Sequence, residues 1–176
     1  MAELGLEHPL AAVPDIEAPG FTATARPMLG VRELCGRTLG APHAAAGVLP
    51  DQPNAVRSHG AWRILWLAPE RWLVVGPHQG SPDDPVHLLA SAQLRTTDMS
   101  HALTAAALAG ERTRAVLARG TPLDLRPSSF GPGRCARTWC AGFPILLDHH
   151  DRGMDVYVDS SLALAFWNWL KDAAGL

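Results

Sequence analysis

The stretch Trp62 to Gly76, WRILWLAPERWLVVG, leaves the chain little structural choice. Trp62, Ile64 and Trp66 recur at every second position, the period of a strand, so their side chains share one side. Ala68-Pro69-Glu70-Arg71 interrupts that strand, and Trp72-Leu73-Val74-Val75 supplies a second one rich in aromatic and β-branched residues. A β-hairpin is therefore expected over 62–76, and the rest of the chain has to be read around it.

Before the hairpin, residues 1–24 are rich in Pro, Ala and Glu without a clear period and are expected to form a flexible N-terminal tail, leaving 25–176 as a single domain. Ala25 to Leu39 suits a short strand, and Gly40 to Gly60 a short helix followed by loop. After it, Pro77 to Pro85 reads as a polar loop and Pro85 to Ala92 as a helix, with proline tolerated in the first turn. Arg95 to Gly110 opens with the polar turn Thr96-Thr97-Asp98, and its alanine-rich remainder fits either strand or helix. Glu111 to Arg119 reads as a helix, with Gly120 available for a left-handed cap and Pro122 beyond it. Past the loop Thr121 to Gly133 come three strands, Arg134 to Trp139, Phe143 to Asp148 and Met154 to Val158. A last helix follows, N-capped by Asp159 and running to about Asp172. On that helix Leu162, Phe166, Trp169 and Leu170 form one apolar stripe, while Leu164 and Trp167 lie well around the cylinder from it. The second face rests either on another chain or deeper in the protein's own core.

Charged residues make up only 18% of the chain, against about 25% in ordinary soluble domains. Apolar residues reach 47% before any of the 16 glycines is counted, in a class that totals about 45–50% with glycine included. Either the core is unusually large or another protein covers part of the outside; the second is the working expectation, with Leu164, Trp167, Trp62 and Trp66 as interface candidates. A net charge of −2 offers no basic field, so neither nucleic acid nor a membrane surface is an expected partner. The N-terminus carries acidic residues and prolines where an export signal would be basic and apolar, and Cys35, Cys135 and Cys140 make a poor disulfide framework, so a reduced, cytoplasmic chain is expected.

Candidate chemistry is sparse. The sequence shows neither G-x-G-x-x-G nor G-x-x-x-x-G-K-[ST] to hold a pyrophosphate, and no G-x-S-x-G for a serine nucleophile. Asp148-His149-His150-Asp151 contains metal-ligand types, yet neighbours on an extended segment diverge, so a polar turn is the better account, a metal site remaining the lesser alternative should His101 approach in space. Cys135 and Cys140 read as buried thiols rather than half of a cluster site. Asp98 before Ser100 is better placed to cap its own backbone than to act as a base. No catalytic, cofactor-binding or metal-binding residue is assigned in this chain.

The segment Gly120, Thr121, Pro122, Leu123, Asp124, Leu125, Arg126, Pro127, with Phe130, Pro132, Gly133, Arg134 and Cys135 after it, resembles the central signature of sarcosine oxidase gamma subunits. The hairpin resembles that family's W-L-x-P-x-x-W-L-x-x-G string through Trp66, Pro69, Trp72 and Gly76, and Asp98-Met99-Ser100 its D-V-S. The resemblance runs from about Val31 to Ala174; Thr121 stands where the family usually has cysteine, and Ala109-Gly110-Glu111 where it has Ser-Gly-Pro. It implies an α+β fold like the folate-binding domain of the glycine-cleavage T protein, with two related β-α-β subdomains and exchanged strands. It also implies a non-catalytic accessory subunit of a heterotetrameric oxidase that demethylates sarcosine to glycine, held against large alpha and beta subunits and a small delta subunit. FAD, FMN, NAD and tetrahydrofolate are then expected in those partners. The alternatives are a stand-alone folate-binding aminomethyltransferase-like protein, or a gamma subunit serving another N-methylated amine.

Overall fold

Among the described residues strands pair only with antiparallel neighbours, and they build two sheets: the backbone starts in one, completes the other and returns to the first. The computed structural model describes residues 8–26, 29–36, 47–77, 84–89 and 94–176. In chain order these contain β1 (Ile16–Ala18), β2 (Phe21–Ala25), β3 (Gly30–Cys35), β4 (Val56–His59), β5 (Trp62–Ala68), β6 (Arg71–Gly76), α1 (Pro85–Leu89), β7 (Arg95–Asp98), β8 (Leu103–Ala109), α2 (Thr113–Leu117), β9 (Arg134–Cys140), β10 (Phe143–His150), β11 (Gly153–Asp159) and, after a 3-10 turn, α3 (Ala163–Ala174). One sheet has the order β1-β2-β8-β11-β10-β9 and the other β4-β5-β6-β3-β7. Among the described residues, α1 links β6 to β7 and α2 links β8 to β9, so each half carries a helix between two of its strands. The N-terminal pair β1-β2 crosses over to lie on β8 of the C-terminal half, and this is the strand exchange of an α+β fold.

Three apolar layers result. One face of the six-stranded sheet is covered by α2, α3 and the loop after α2, burying Leu108, Ile145, Leu147 and Val156 against Phe166, Trp167 and Leu170. Its other face meets the five-stranded sheet through Leu146, Tyr157 and Cys135 against Val31, Leu65, Leu73 and Val75. The far face of the five-stranded sheet buries Leu34, Trp62, Ile64, Trp72 and Val74 with Leu49 and Leu89. The central strands of both sheets are thus covered on two sides, which takes up most large apolar side chains of the described residues. Among the described residues only Trp139, Leu164 and Leu176 remain as exposed large hydrophobics.

Several expectations change. Residues 16–25 are strands rather than a tail: Ile16, Phe21 and Ala23 are buried, and Gly20 turns the chain with a φ of 72°, a region that glycine reaches without strain. The domain therefore begins before residue 25, while residues 1–7 lie outside the described part. Arg95–Asp98 is an exposed edge strand, and the alanine-rich stretch after it is β8 rather than helix, because neighbouring strands bury it on both sides. The helix foreseen early in 40–60 and the loop foreseen over 77–85 fall partly on 37–46 and 78–83, outside the described residues. Gly120 is not in the left-handed region. Its need for glycine is steric, since a Cβ there would lie 2.6 Å from Trp169 Cζ2 and 2.9 Å from Cys140 Sγ. The left-handed cap falls instead on Gly175, at the end of α3.

Trp62 is fully buried beneath Arg32, whose guanidinium sits 5.6 Å from the ring centroid. A Cβ at Gly76 would fall 2.3 Å from its Cε3. We expect Trp62→Ala to cost about 3–5 kcal/mol by cavity formation, and Gly76→Ala about 1–3 kcal/mol by overpacking. Chemical denaturation of the purified chain measures both; midpoints that stay at the wild-type value would contradict this packing.

Candidate partner interface

Asp148 on β10 and Asp155 on β11 face one another directly in the ladder, and both are buried. Like charges in that position repel, so each requires a cation. Arg63 of β5 supplies a two-pronged pair to Asp148, one arm at 2.5 Å, and Arg26 after β2 binds Asp155 with its Nη2 at 2.8 Å from both oxygens. His150 Nε2 lies 3.4 Å from Asp155 as well. Tyr157, buried between the sheets, has its phenol pushed well above its usual range by burial, and so stays neutral. Arg63–Asp148 thus ties the five-stranded sheet to the six-stranded one, while Arg26–Asp155 ties the end of β2 to β11 within the latter.

The Asp148-His149-His150-Asp151 run is accordingly not a solvated turn along its length. Asp148 and His149 are buried and point to opposite sides of β10, Asp148 to Arg63 and His149 to the loop after α2. His101 stands exposed in the turn before β8. Burial pushes the thiols of Cys135 and Cys140 up to about 12, which keeps them protonated; Cys135 donates to the Trp66 carbonyl at 3.3 Å. The Asp98 carboxylate accepts from Ser100 N at 2.9 Å and Oγ at 2.6 Å, bonds that hold it below the usual range, so it caps its own turn.

The loop 120–133 is a pinned surface strap. Leu125 and Phe130 are buried in the helical layer, Arg114 Nε donates to the Leu125 carbonyl at 2.7 Å, and His149 Nδ1 bonds the Phe130 carbonyl at 2.9 Å. Asp124 gathers Arg126 and Ser129, which drive its carboxyl well below the usual range. Pro122, Pro127, Pro132 and Gly133 sit at exposed bends of the same strap, with Leu123 half-buried. Thr121 bonds the Thr138 hydroxyl at 3.1 Å. In the hairpin, Pro69 occupies the turn, Trp72 donates to the Pro50 carbonyl at 2.9 Å and Trp66 is half-buried. The signature residues therefore shape the framework.

Of the four proposed interface residues, the structure leaves one open. Trp62 is sealed in the outer layer, Trp167 is 3% exposed in the helical layer and Trp66 is half-buried, whereas Leu164 is 52% exposed. The second face of α3 is mostly its own core. The larger exposed group is Trp139, 61% exposed near the end of β9 and missing from the sequence-based set. The sequence offered only part of its signal, an aromatic in a strand before the Ala141-Gly142 turn; that the strand is an edge comes from the strand order. That turn, Ala141-Gly142, has φ of 50° and 86°, the two left-handed residues of a two-residue hairpin. Beside Trp139 opens a groove of about 390 Å³ lined by Leu73, Leu103, Pro144, Ile145, Leu146 and Tyr157, with Arg137 and Asp159 at its polar margin. The Asp159 carboxylate is tied to Ser161 N at 2.8 Å, while Arg137 makes no ion pair among the described residues.

A family model described as "Sarcosine oxidase, gamma subunit family" matches residues 39–175. Among solved structures, the chain is similar to a chain of the heterotetrameric sarcosine oxidase from Corynebacterium sp. U-96 in complex with pyrrole 2-carboxylate, with a TM-score of 0.81 and 24% identity over 96% of this chain and 94% of that one. It is also similar to the glycine cleavage system aminomethyltransferase T from Bartonella henselae, with a TM-score of 0.63 and 14% identity over 88% of this chain and 46% of that one. At these identities the likeness is one of fold. No curated protein matches the chain significantly.

Burial holds the His149 imidazole below its ordinary 6.5, and its ring stacks on Phe130 at 5.6 Å. The unfolded chain then takes up a proton just below 6.5 that the folded chain refuses, so stability present above that pH is lost as pH falls through it. We expect a slope of at most about 1.4 kcal/mol per pH unit from this residue, flattened in His149→Gln. Denaturation at pH 7.0, 6.0 and 5.5 would test it; an unchanged slope in the variant would exclude His149 as the source.

Proposed function

The chain belongs to the sarcosine oxidase gamma subunit family, and from that premise we propose that it acts as a non-catalytic accessory subunit of a sarcosine oxidase-type complex. On this reading it docks on large alpha and beta subunits, with a small delta subunit completing the heterotetramer. The flavins, nicotinamide and tetrahydrofolate, and the oxidative demethylation of sarcosine to glycine, belong to those partners, in the cytoplasm. No helix among the described residues is long and apolar enough to cross a membrane.

The observation that carries the proposal is Trp139. A tight hairpin holds its indole 61% exposed beside an apolar groove. Exposed apolar area costs roughly 25 cal/mol per Å² relative to burial, and a rigid aromatic anchor next to a cavity is the form that binding hot spots take. The internal contacts support a framework role: Arg63–Asp148 and the Cys135 thiol on the Trp66 carbonyl join the two sheets, and Arg26–Asp155 holds the residue after β2 to β11 within one of them.

Co-expression with candidate large subunits should give a complex that co-elutes on size exclusion. Trp139→Ala should weaken that complex by about 2 kcal/mol or more, roughly 30-fold in Kd, while the free chain's stability moves by less than about 0.5 kcal/mol. A chain that elutes alone beside folded large subunits would overturn the reading.

A further inference from the structure

The geometry points to the outer edge of β9 as a strand-addition site: an extended segment of a partner subunit, carrying an apolar residue and, two residues away, an acidic one, pairs antiparallel with Arg137–Trp139. The inference rests on the subunit reading above and deepens it. β9 is the last strand of its sheet, and its register with β10 is regular from Arg134 to Cys140. In such a ladder the main-chain groups of alternate residues point away from the neighbour. Cys135 shows which set points outward here, because its N–H donates at 2.8 Å to the Asn54 carbonyl on the side away from β10. Residues of the same phase, Arg137 and Trp139, therefore turn their N–H groups to the free edge, and Pro144 lies opposite Trp139, where no inter-strand donor is required. The segment around Ala55 covers the edge at its Arg134 end by an isolated bridge and stops there.

The side chains of Arg137 and Trp139 lie on the same face as the groove, which both line. An added strand would place alternate side chains over them. One apolar side chain would pack on the indole and enter the groove, and the next on that face would meet the Arg137 guanidinium, which has no ion pair among the described residues and selects a carboxylate. A second copy of this chain fits poorly. Antiparallel pairing of two such edges brings two Arg137 groups opposite or diagonal to one another, and β9 has no acidic residue to offset them.

Hydrogen exchange resolved to single residues tests this on the co-expressed complex. The Arg137 and Trp139 amides should exchange at least tenfold more slowly in the complex than in the free chain. Arg137→Glu should weaken assembly at least tenfold and Arg137→Lys less than threefold, with the free variants as stable as wild type. A complex that forms while those amides keep their free-chain rate, or that tolerates Arg137→Glu, would overturn strand addition and leave the subunit reading standing. Absence of any complex would overturn both. Amide slowing in the chain alone that grows with its concentration would assign the edge to a second copy and overturn the proposal.

Discussion

Two carboxylates placed opposite one another in the middle of a sheet, Asp148 and Asp155, determine much of this architecture. Two carboxylates so close repel, and a buried acid stripped of its partner costs several kcal/mol. Each is met from a different part of the chain: Arg63 comes from the five-stranded sheet and Arg26 from just beyond the exchanged N-terminal strands. Apolar packing between the sheets is tolerant of sliding, whereas paired arginine-carboxylate contacts are not. The two ion pairs thus fix where the second sheet and the N-terminal strands sit on the first.

That fixed seating determines what β9 can do. Arg63 lies on β5 and Asp148 on β10, so the segment leading into β5 is brought alongside the start of β9, where Asn54, Ala55 and Val56 bond its edge. Among the described residues this cover ends before Arg137. The groove exists because the five-stranded sheet reaches Leu146 and Tyr157 through Leu73 but leaves Pro144 and Trp139 open. A free edge of this kind invites indiscriminate pairing unless charge guards it, and the exposed Arg137 provides the guard.

The strands with strong alternation were legible in the sequence: the Trp62–Gly76 hairpin and the three C-terminal strands stand close to where their patterns put them. Strands β1 and β2 were not, because three- to five-residue segments with one or two apolar anchors carry little periodic signal. The alanine-rich β8 was ambiguous for a related reason, since alanine propensity favours helix and only burial between two neighbours makes it a strand. The site was harder still. Apolar residues such as Trp62 and Trp167 mark either an interface or a deep core, and a composition rich in them could not show that both sheets are covered on two faces. Trp139 looked like one strand residue among others until the order of strands made β9 an edge.

Among the described residues most large apolar side chains are spent inside, so this part of the chain shows no broad greasy surface. Apart from the exposed Leu164 and Leu176, the described part of the chain presents one indole, a groove and a short run of open main chain, on a hairpin closed by a two-residue turn. Such a surface loses little freedom on binding, which is where much of the cost of association lies. Main-chain hydrogen bonds also fix direction and register in a way that apolar contact alone does not. A domain with three internal layers of its own can fold before it meets a partner, and a small, oriented contact then suffices to set how it sits in a larger assembly.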